Sequence, residues 1–344
     1  MNCLSSWKPG GAMIGVNFCL AVVNLLFKMV LNRGMNQLVL ATYRQAISAI
    51  FLAPIACCME RRSYKKLSAF TVCALFFSGL MGGTLTLYLF LIGLNYTSTS
   101  FSCAFVNIVP INTFLMTLLF RQERINMKCK SGKAKMLGTL ICLIGTIVLI
   151  LYKGKPLINN NASSQGVEAN HNTKSWVIGS LFLFAGSLAW SSWFLIQGRV
   201  GLDYPYQYSS TTIMSFFGAI QSAALCVIID KNPSIWKLKG SLEIGTIIYS
   251  GIVGSSICYA VMSWCVKQKG PVFTSTFGPF IQIFATVLDV SILHEQIYLG
   301  SILGSILVIV GLYGLLWGKS KEAEVCKTAP TPDKDAQIVL PVTR

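Results

Sequence analysis

Two amides and two prolines have the types and spacing that could form a binding site for a small polar molecule. Asn107 and Pro110 are three residues apart, which puts them on one face of a helix. Pro279 and Gln282 repeat this spacing in the second half of the chain, with proline and amide in swapped order. A proline removes a backbone donor and frees a carbonyl. Each pair therefore offers a carbonyl beside an amide, which can hydrogen-bond to a solute without adding charge.

The apolar runs around these pairs leave two interpretations open. A polar spot halfway through lipid could line a solute pocket, as expected where two structural repeats meet. The same residues could instead mark a kinked helix whose amide holds neighbouring helices together.

Two basic residues also fall within apolar runs. Arg44 lies roughly 9 Å along its run at 1.5 Å per residue, a depth at which a charge is costly. Its guanidinium could bind a substrate carboxylate, or it could tie helices together through backbone carbonyls. Lys28 lies close to the end of its run, so it could line the pathway or extend its ammonium group to the membrane surface.

We expect only three carboxylates, Glu123, Glu295 and Asp289, at or near the ends of these apolar runs. Glu123 and Glu295 could be gates that close opposite sides of a pathway. Alternatively, each acid is stabilised by the dipole at the start of the following helix. The absence of a carboxylate at mid-depth weakens the case for an acidic proton relay.

Aromatic side chains could line the same pathway, and we single out Trp190 and Tyr259. Tyr88, Trp193 and Trp264 are further candidates. In apolar helices, however, such residues more often pack between helices or form the interfacial belt.

The composition indicates that lipid is the main solvent of this chain. The 344 residues are 53% hydrophobic and 12% charged, whereas soluble domains carry about 25% charged residues. The net charge of +16 comes from basic residues that flank apolar runs, so it predicts contact with lipid headgroups and not with nucleic acid. Most of the twelve cysteines lie in apolar runs, and their spacing predicts neither disulfides nor a metal site. No cofactor is expected.

The pattern predicts an all-α membrane protein with ten spans, because a span needs about 20 mostly apolar residues. The predicted spans are Gly11 to Val30, Leu38 to Cys57, Ala69 to Leu91, Ser100 to Phe120, Met136 to Tyr152, Trp176 to Ile196, Ser210 to Ile229, Gly245 to Val266, Val272 to Leu293 and Leu299 to Trp317. The fifth is short, and the seventh opens with Ser and Thr. We divide the chain into an N-terminus (1–9), a first five-helix unit (10–153), a polar loop (154–175), a second unit (176–318) and a disordered tail (319–344).

Lys and Arg residues are concentrated in the segments on one side of these spans. Cytosolic segments carry the excess of basic residues in membrane proteins, so both termini are predicted to be cytosolic. The loop 154–175 then lies outside, and glycosylation of Asn161 is allowed there.

The two units resemble each other in sequence. Phe101, Phe105 and Glu123 match Phe273, Phe277 and Glu295 at one constant separation along the chain. Five is an odd number, so the second unit must enter the membrane from the opposite side. The prediction is an inverted repeat, a plan typical of carriers with a site near the midplane.

The order and spacing of several short motifs resemble the plant "walls are thin"-related transporters, also called the UMAMIT family, within the EamA-type drug/metabolite transporter superfamily. The motifs include Thr42-Tyr43-Arg44-Gln45, Ala53-Pro54-Ile55-Ala56, Glu60-Arg61-Arg62, Phe120-Arg121-Gln122-Glu123, Leu151-Tyr152-Lys153-Gly154, Tyr204-Pro205, His294-Glu295 and Leu316-Trp317-Gly318-Lys319. The resemblance extends up to about Lys319. One departure is Cys58-Met59, where a more conventional turn into the basic loop is expected.

The resemblance implies a fold of two EamA units that moves amino acids or, in some members, auxin-like organic acids. It also implies the plasma membrane or the tonoplast as location, of which we expect the plasma membrane. The partners are then a small solute and the lipid bilayer, and the oligomeric state is open.

Three other classes of protein are weaker fits. An enzyme would need a reactive constellation, and His294-Glu295 lacks the second histidine of a zinc protease helix. A receptor or scaffold has no physical need for two similar halves. A channel would need a ring or filter motif, and we find none in the sequence.

Overall fold

A computed structural model describes residues 3–60, 67–96, 99–120, 130–151, 173–238 and 240–293, and part of the stretch 303–321. Within these residues the chain is helical, without strands. The α-helices are α1 (Cys3–Leu31), α2 (Gln37–Glu60), α3 (Ala69–Gly79), α4 (Thr86–Tyr96), α5 (Thr99–Leu119), α6 (Lys130–Leu151), α7 (Thr173–Asp203), α8 (Gln207–Ile229), α9 (Ser241–Tyr249), α10 (Cys258–Lys269), α11 (Pro271–Ser275) and α12 (Gly278–Leu293). The described residues between 303 and 321 are also helical.

Seven helical stretches in the described part of the chain are long and apolar enough to cross a membrane. They are Lys8–Leu31, Gln37–Glu60, Ala69–Phe90, Val177–Asp203, Gln207–Ile229, Ser241–Lys269 and Pro271–Leu288. The fourth predicted span coincides with α5. The apolar part of this helix, Phe105–Leu119, is shorter than the seven stretches above. The fifth coincides with α6, and the tenth falls on the helical residues between 303 and 321. The chain is therefore a multi-pass membrane protein.

The polar start of the seventh predicted span is accommodated within its own helix. The hydroxyls of Ser210 and Thr211 both donate to the carbonyl of Gln207, and the hydroxyl of Thr212 donates to that of Tyr208. A hydroxyl bonded to the preceding turn needs no partner in lipid. This is why α8 begins before the first apolar residues.

The third and eighth spans each contain a π-helical segment that the apolar pattern does not predict. Leu80–Leu85 joins α3 to α4, and Ser250–Ile257 joins α9 to α10. In each span a hydroxyl donates to a carbonyl five residues earlier: Thr86 to Met81 at 2.5 Å and Ser256 to Gly251 at 2.8 Å. These bonds satisfy carbonyls in widened turns, where the regular ladder is interrupted.

Glycines at the π segments let the helices approach closely. A Cβ on Gly79 would lie 2.7 Å from the carbonyl oxygen of Met214, and one on Gly251 would lie 2.7 Å from Ile47. The Ser-Gly-x-x-Gly sequence that begins at Ser78 recurs at Ser250, at the separation that already pairs the two halves. The sequence therefore contained a signal for these paired segments, although the hydrophobic pattern does not reveal it.

Helix packing exchanges partners between the two halves. Helix α1 packs against α9, α10 and α12, whereas α7 packs against α3, α4 and α5 and, within its own half, against α10 and α11. Helices α2 and α8 are the second helices of the two halves, and their contact is the most extensive between any two helices in the described structure. The first helix of each half thus packs against the third and fourth spans of the other half.

The ninth predicted span is broken, which corrects the expectation of one continuous helix from Val272 to Leu293. Thr276 and Phe277 form a turn between α11 and α12. Pro279 has no backbone donor, so it is tolerated in the first turn of a new helix but not in the interior of an old one. The corresponding helix α5 runs unbroken through Pro110.

The expectation that only three carboxylates lie near span ends is wrong. Glu60 is the last residue of α2 and is buried, and Glu243 is buried in the first turn of α9. The carboxylate of Glu60 accepts from the backbone N–H groups of Tyr208 at 3.0 Å and Ser209 at 2.9 Å, and from the Ser209 hydroxyl. Glu60 therefore caps α8, where a negative charge is favourable.

The glycine contacts lead to a prediction about stability. Gly79→Ala should lower the free energy of unfolding by about 1–3 kcal/mol, because the new methyl group would collide with the backbone of α8. Thermal unfolding of the detergent-solubilised protein would measure this. Gly15→Ala is the matched control, since a Cβ at this helical position has no other group within 4 Å. Equal stability of the two variants would contradict the close packing of α3 on α8.

Candidate functional site

The two predicted amides meet at the contact between α5 and α12. The Asn107 Nδ2 group donates to Gln282 Oε1 at 2.5 Å, and Asn107 is 2% exposed. Asn107 Oδ1 is buried and has no hydrogen-bond partner among the described residues. The amide pair joins the two halves and keeps one acceptor available.

The carbonyls next to the two prolines bond to the first helix of the opposite half. Val109 precedes Pro110 in α5, and its carbonyl accepts from the hydroxyl of Ser191 on α7 at 3.2 Å. Phe277 lies two residues before Pro279, and its carbonyl accepts from Asn17 Nδ2 on α1 at 2.9 Å. These two carbonyls therefore hold helices of opposite halves together. Neither is the carbonyl that a proline frees, which lies four residues earlier, at Val106 and at Ser275.

Arg44 lies between aromatic and hydroxyl groups. Its Nε donates to the Ser255 hydroxyl in the second π segment, and its Nη2 donates to the Tyr259 hydroxyl at 3.4 Å. The guanidinium carbon is 5.6 Å from the centroid of the Phe27 ring and 5.5 Å from that of Tyr259. Aromatic faces attract a cation, so these rings offset part of the cost of burying the charge. Among the described residues, acceptors are found for Nε and Nη2, so Nη1 keeps its donors for a further acceptor.

Tyr259 and Trp190 belong to one aromatic group. Their ring centroids are 6.0 Å apart, and Trp190 also stacks on Trp193 at 5.2 Å. Trp193 is completely buried, whereas Trp190 is half-buried. The Tyr259 hydroxyl also lies 3.3 Å from the carbonyl of Gly82 in the first π segment. Of the two tryptophans, Trp190 has surface available to a solute.

Lys28 is half-buried in the last turn of α1 and is engaged in an interaction within the protein. Gln197 on α7 donates to the Ser78 hydroxyl at 2.8 Å and accepts from that of Ser263 at 3.3 Å. It thereby connects α7 to both spans that contain π segments. Asp289 lies in α12, and Glu123 and Glu295 lie outside the described residues.

A buried polar cluster at the crossing of α2 and α8 was not predicted. The Ser48 hydroxyl lies 3.0 Å from that of Ser215 and 3.1 Å from that of Ser256. Gln45, one turn before Ser48 on α2, is 3% exposed, and its Oε1 atom has no partner among the described residues. Serines and a glutamine within an apolar helix were the available signal, because lipid makes such groups costly unless they pair.

Two cavities lie apart from the amide pair. One of about 360 Å³ is bounded by α2, α8 and the eighth span and includes Leu52, Tyr208 and Trp264 in its lining. The other, of about 490 Å³, lies between α3, α5 and α7 and includes Phe77, Met116 and Arg199. Neither lining contains Asn107, Gln282 or Arg44, so these cavities belong to other parts of the bundle.

Comparison with known proteins decides the family. The sequence profile of the EamA-like transporter family matches residues 10–151 and again residues 177–317. The chain belongs to the EamA-like transporter family. The resemblance to plant "walls are thin"-related transporters is also confirmed. One WAT1-related protein of Arabidopsis thaliana is 47% identical over 331 residues, covering 95% of this chain and 91% of that protein. A second is 47% identical over 321 residues, covering 92% and 88%.

A solved crystal structure shows the same fold as this EamA-like chain. Its TM-score is 0.61 with 17% sequence identity, and the match covers 89% of this chain and 98% of that one. The family consists of membrane transporters of small solutes and not of enzymes.

The bond from Asn17 leads to a second prediction. Asn17→Ala should reduce the free energy of unfolding by about 1 kcal/mol, because it leaves the buried Phe277 carbonyl without this donor. Asn24→Ala, on the same helix but at an exposed position, should have little effect. Thermal unfolding in detergent would compare them, and an equal loss in both variants would show that the bond does not stabilise the turn before α12.

Proposed function

We propose that this protein carries small organic solutes, above all amino acids, across a membrane by alternating access. The observation that supports this most is the contact between Asn107 and Gln282. Each half contributes one amide, and the two meet at the contact between the halves. A carrier requires a site that both halves share, because the solute must be released when the halves move relative to each other.

The architecture we propose is ten spans in two five-helix units of opposite orientation, with both termini in the cytosol. Two successive matches to one family profile support the repeat. The exchange of partners between α1 and α7 supports it as well, because a two-fold relation between the halves requires such swapped contacts. The excess of basic residues supports the orientation.

Asn107 and Arg44 lie in separate contacts between the halves, and we propose that they bind the two charged ends of an amino acid. Asn107 Oδ1 is an acceptor without a described partner and would bind an ammonium donor. Arg44 has donors available for a carboxylate, and a guanidinium binds carboxylates with two parallel hydrogen bonds. We assign substrate contact to both, together with Pro110, Pro279, Lys28, Trp190, Tyr259 and Gln282.

A second substrate class is an aromatic organic acid of the auxin type. Arg44 would bind its carboxylate, and the half-buried Trp190 beside Tyr259 would offer a stacking surface. The two classes differ in the ammonium group, so only an amino acid would use the acceptor on Asn107.

We further propose that Glu123, Glu295 and Asp289 act as gates at opposite ends of the pathway. The plasma membrane is the proposed location in preference to the tonoplast. A receptor without transport activity is the remaining alternative.

Flux measurements test the function. The purified protein in proteoliposomes should move labelled amino acids with saturable kinetics. Saturable flux of aromatic acids alone would favour the second substrate class, and unsaturable flux would indicate a channel. No flux across a broad panel of solutes would favour a receptor and reject the carrier.

The amide pair gives a direct prediction. The double variant Asn107→Ala with Gln282→Ala should lower amino acid flux by at least about tenfold, equivalent to about 1.4 kcal/mol, while surface expression is retained. Gln221→Ala is a matched amide control, because Gln221 is half-buried on α8 and its Nε2 donates to the Phe76 carbonyl on α3, so it takes no part in the amide pair. Normal uptake in the double variant would remove the pair from the site.

Arg44→Lys tests whether Arg44 binds a carboxylate through two hydrogen bonds or only through its positive charge. Lysine keeps the positive charge but cannot form two parallel hydrogen bonds to a carboxylate. We expect a raised KM for amino acids and little change in uptake of substrate analogues in which an amide replaces the carboxylate. An equal loss for both substrates, measured by uptake in proteoliposomes, would assign Arg44 to helix packing.

A further inference from the structure

Two adjacent cysteines near the end of α2 are exposed, whereas those deeper in the described helices are largely buried. Cys57 and Cys58 are exposed, and Met59 after them is 67% exposed. In contrast, Cys142, Cys226, Cys258 and Cys265 are buried. The pair therefore lies on the outer surface of the bundle, where a reagent can reach both thiols.

The position of Glu60 indicates how deep Cys57 and Cys58 lie in the membrane. It ends α2 and caps the start of α8, so both helix ends lie at one level. Cys57 and Cys58 precede Glu60 by three and two residues, which is about 3–5 Å at 1.5 Å per residue. Further along the helix, Ile50 is 74% exposed, as expected of a surface that faces lipid. The two thiols thus lie just inside the surface of the bilayer.

Four basic residues follow the pair in the sequence: Arg61, Arg62, Lys65 and Lys66. Basic residues beside a span attract the anionic cytosolic leaflet. The same cluster contributes to the proposed orientation, in which this end of α2 faces the cytosol. Exposed thiols, the membrane surface and the cytosolic side together define the position at which cysteines are S-acylated.

We propose that Cys57 and Cys58 are S-acylation sites that accept long-chain fatty acyl groups. The cysteine sulfur attacks the thioester carbonyl of a long-chain acyl-coenzyme A and forms a new carbon–sulfur bond. The bond to the coenzyme A sulfur breaks, and coenzyme A leaves as the free thiol with the proton of the cysteine. No oxidation or reduction occurs. The acyl chains then run along α2 into the leaflet and anchor this helix end.

Cys73 is the natural comparison. It is also exposed, but it is the fifth residue of α3 and lies about 6 Å into that helix. The same basic cluster precedes α3, but no second cysteine adjoins Cys73. We therefore expect Cys73 to remain unmodified.

Acyl exchange on the full chain expressed in plant cells tests the proposal. Free thiols are blocked, thioesters are cleaved with hydroxylamine, and the released thiols receive a mass tag. The wild type should gain two tags, Cys57→Ser and Cys58→Ser one each, and the double variant none. Cys73→Ser should keep two. A known acylated protein in the same lysate confirms that the reaction works.

A wild type without hydroxylamine-dependent tags, or a double variant that keeps them, would overturn the proposal. The sidedness rests on the orientation under the proposed function, and a protease-sensitive tag at the C-terminus checks it independently. Amino acid flux per surface molecule should be unchanged in the double variant, because the cysteines lie outside the amide pair and the Arg44 site. A wild type without tags but with normal flux would overturn the acylation proposal alone. A wild type with two tags but without flux would overturn the proposed function alone.

Discussion

Most polar groups inside an apolar bundle must find their partners within the protein, because lipid offers none. This constraint accounts for much of the described structure. Hydroxyls of α8 donate to the preceding turn, and those at the π segments reach carbonyls five residues earlier. The glycines beside these segments bring the helices close enough for Ser48, Ser215 and Ser256 to bond to one another. At both π segments, a side-chain bond thus satisfies a carbonyl where the regular backbone ladder is interrupted.

The same constraint is strictest for Arg44, because a buried charge costs more than a buried neutral group. The described residues supply it with a hydroxyl, a phenol and two aromatic faces. These contacts lower the cost of the buried charge without neutralising it. A charge held in this way still favours an anion, which is why an arginine among hydroxyl and aromatic partners suits a substrate site better than one in a buried ion pair.

Much of this arrangement could be predicted from residue types alone. The seven apolar stretches follow from composition, and the amides at Asn107 and Gln282 stood out because polar groups are rare at such positions. Other features depend on contacts between distant parts of the chain. Hydrophobicity does not show that Glu60 caps α8 across nearly 150 residues of sequence, or that Asn17 bonds to the turn before α12. The π segments were signalled by a repeated glycine motif, which a search for apolar runs overlooks.

The break between α11 and α12 has a consequence for the energetics of a carrier. Its counterpart α5 is continuous, whereas α11 is preceded by Gly270, whose φ of 90° few other residues adopt. Under the proposed alternating access, two halves with different internal joints cannot exchange shapes perfectly, so the two end states of the empty protein would differ in free energy. One orientation would then be preferred at rest, and the return of the unloaded carrier would proceed at different rates in the two directions.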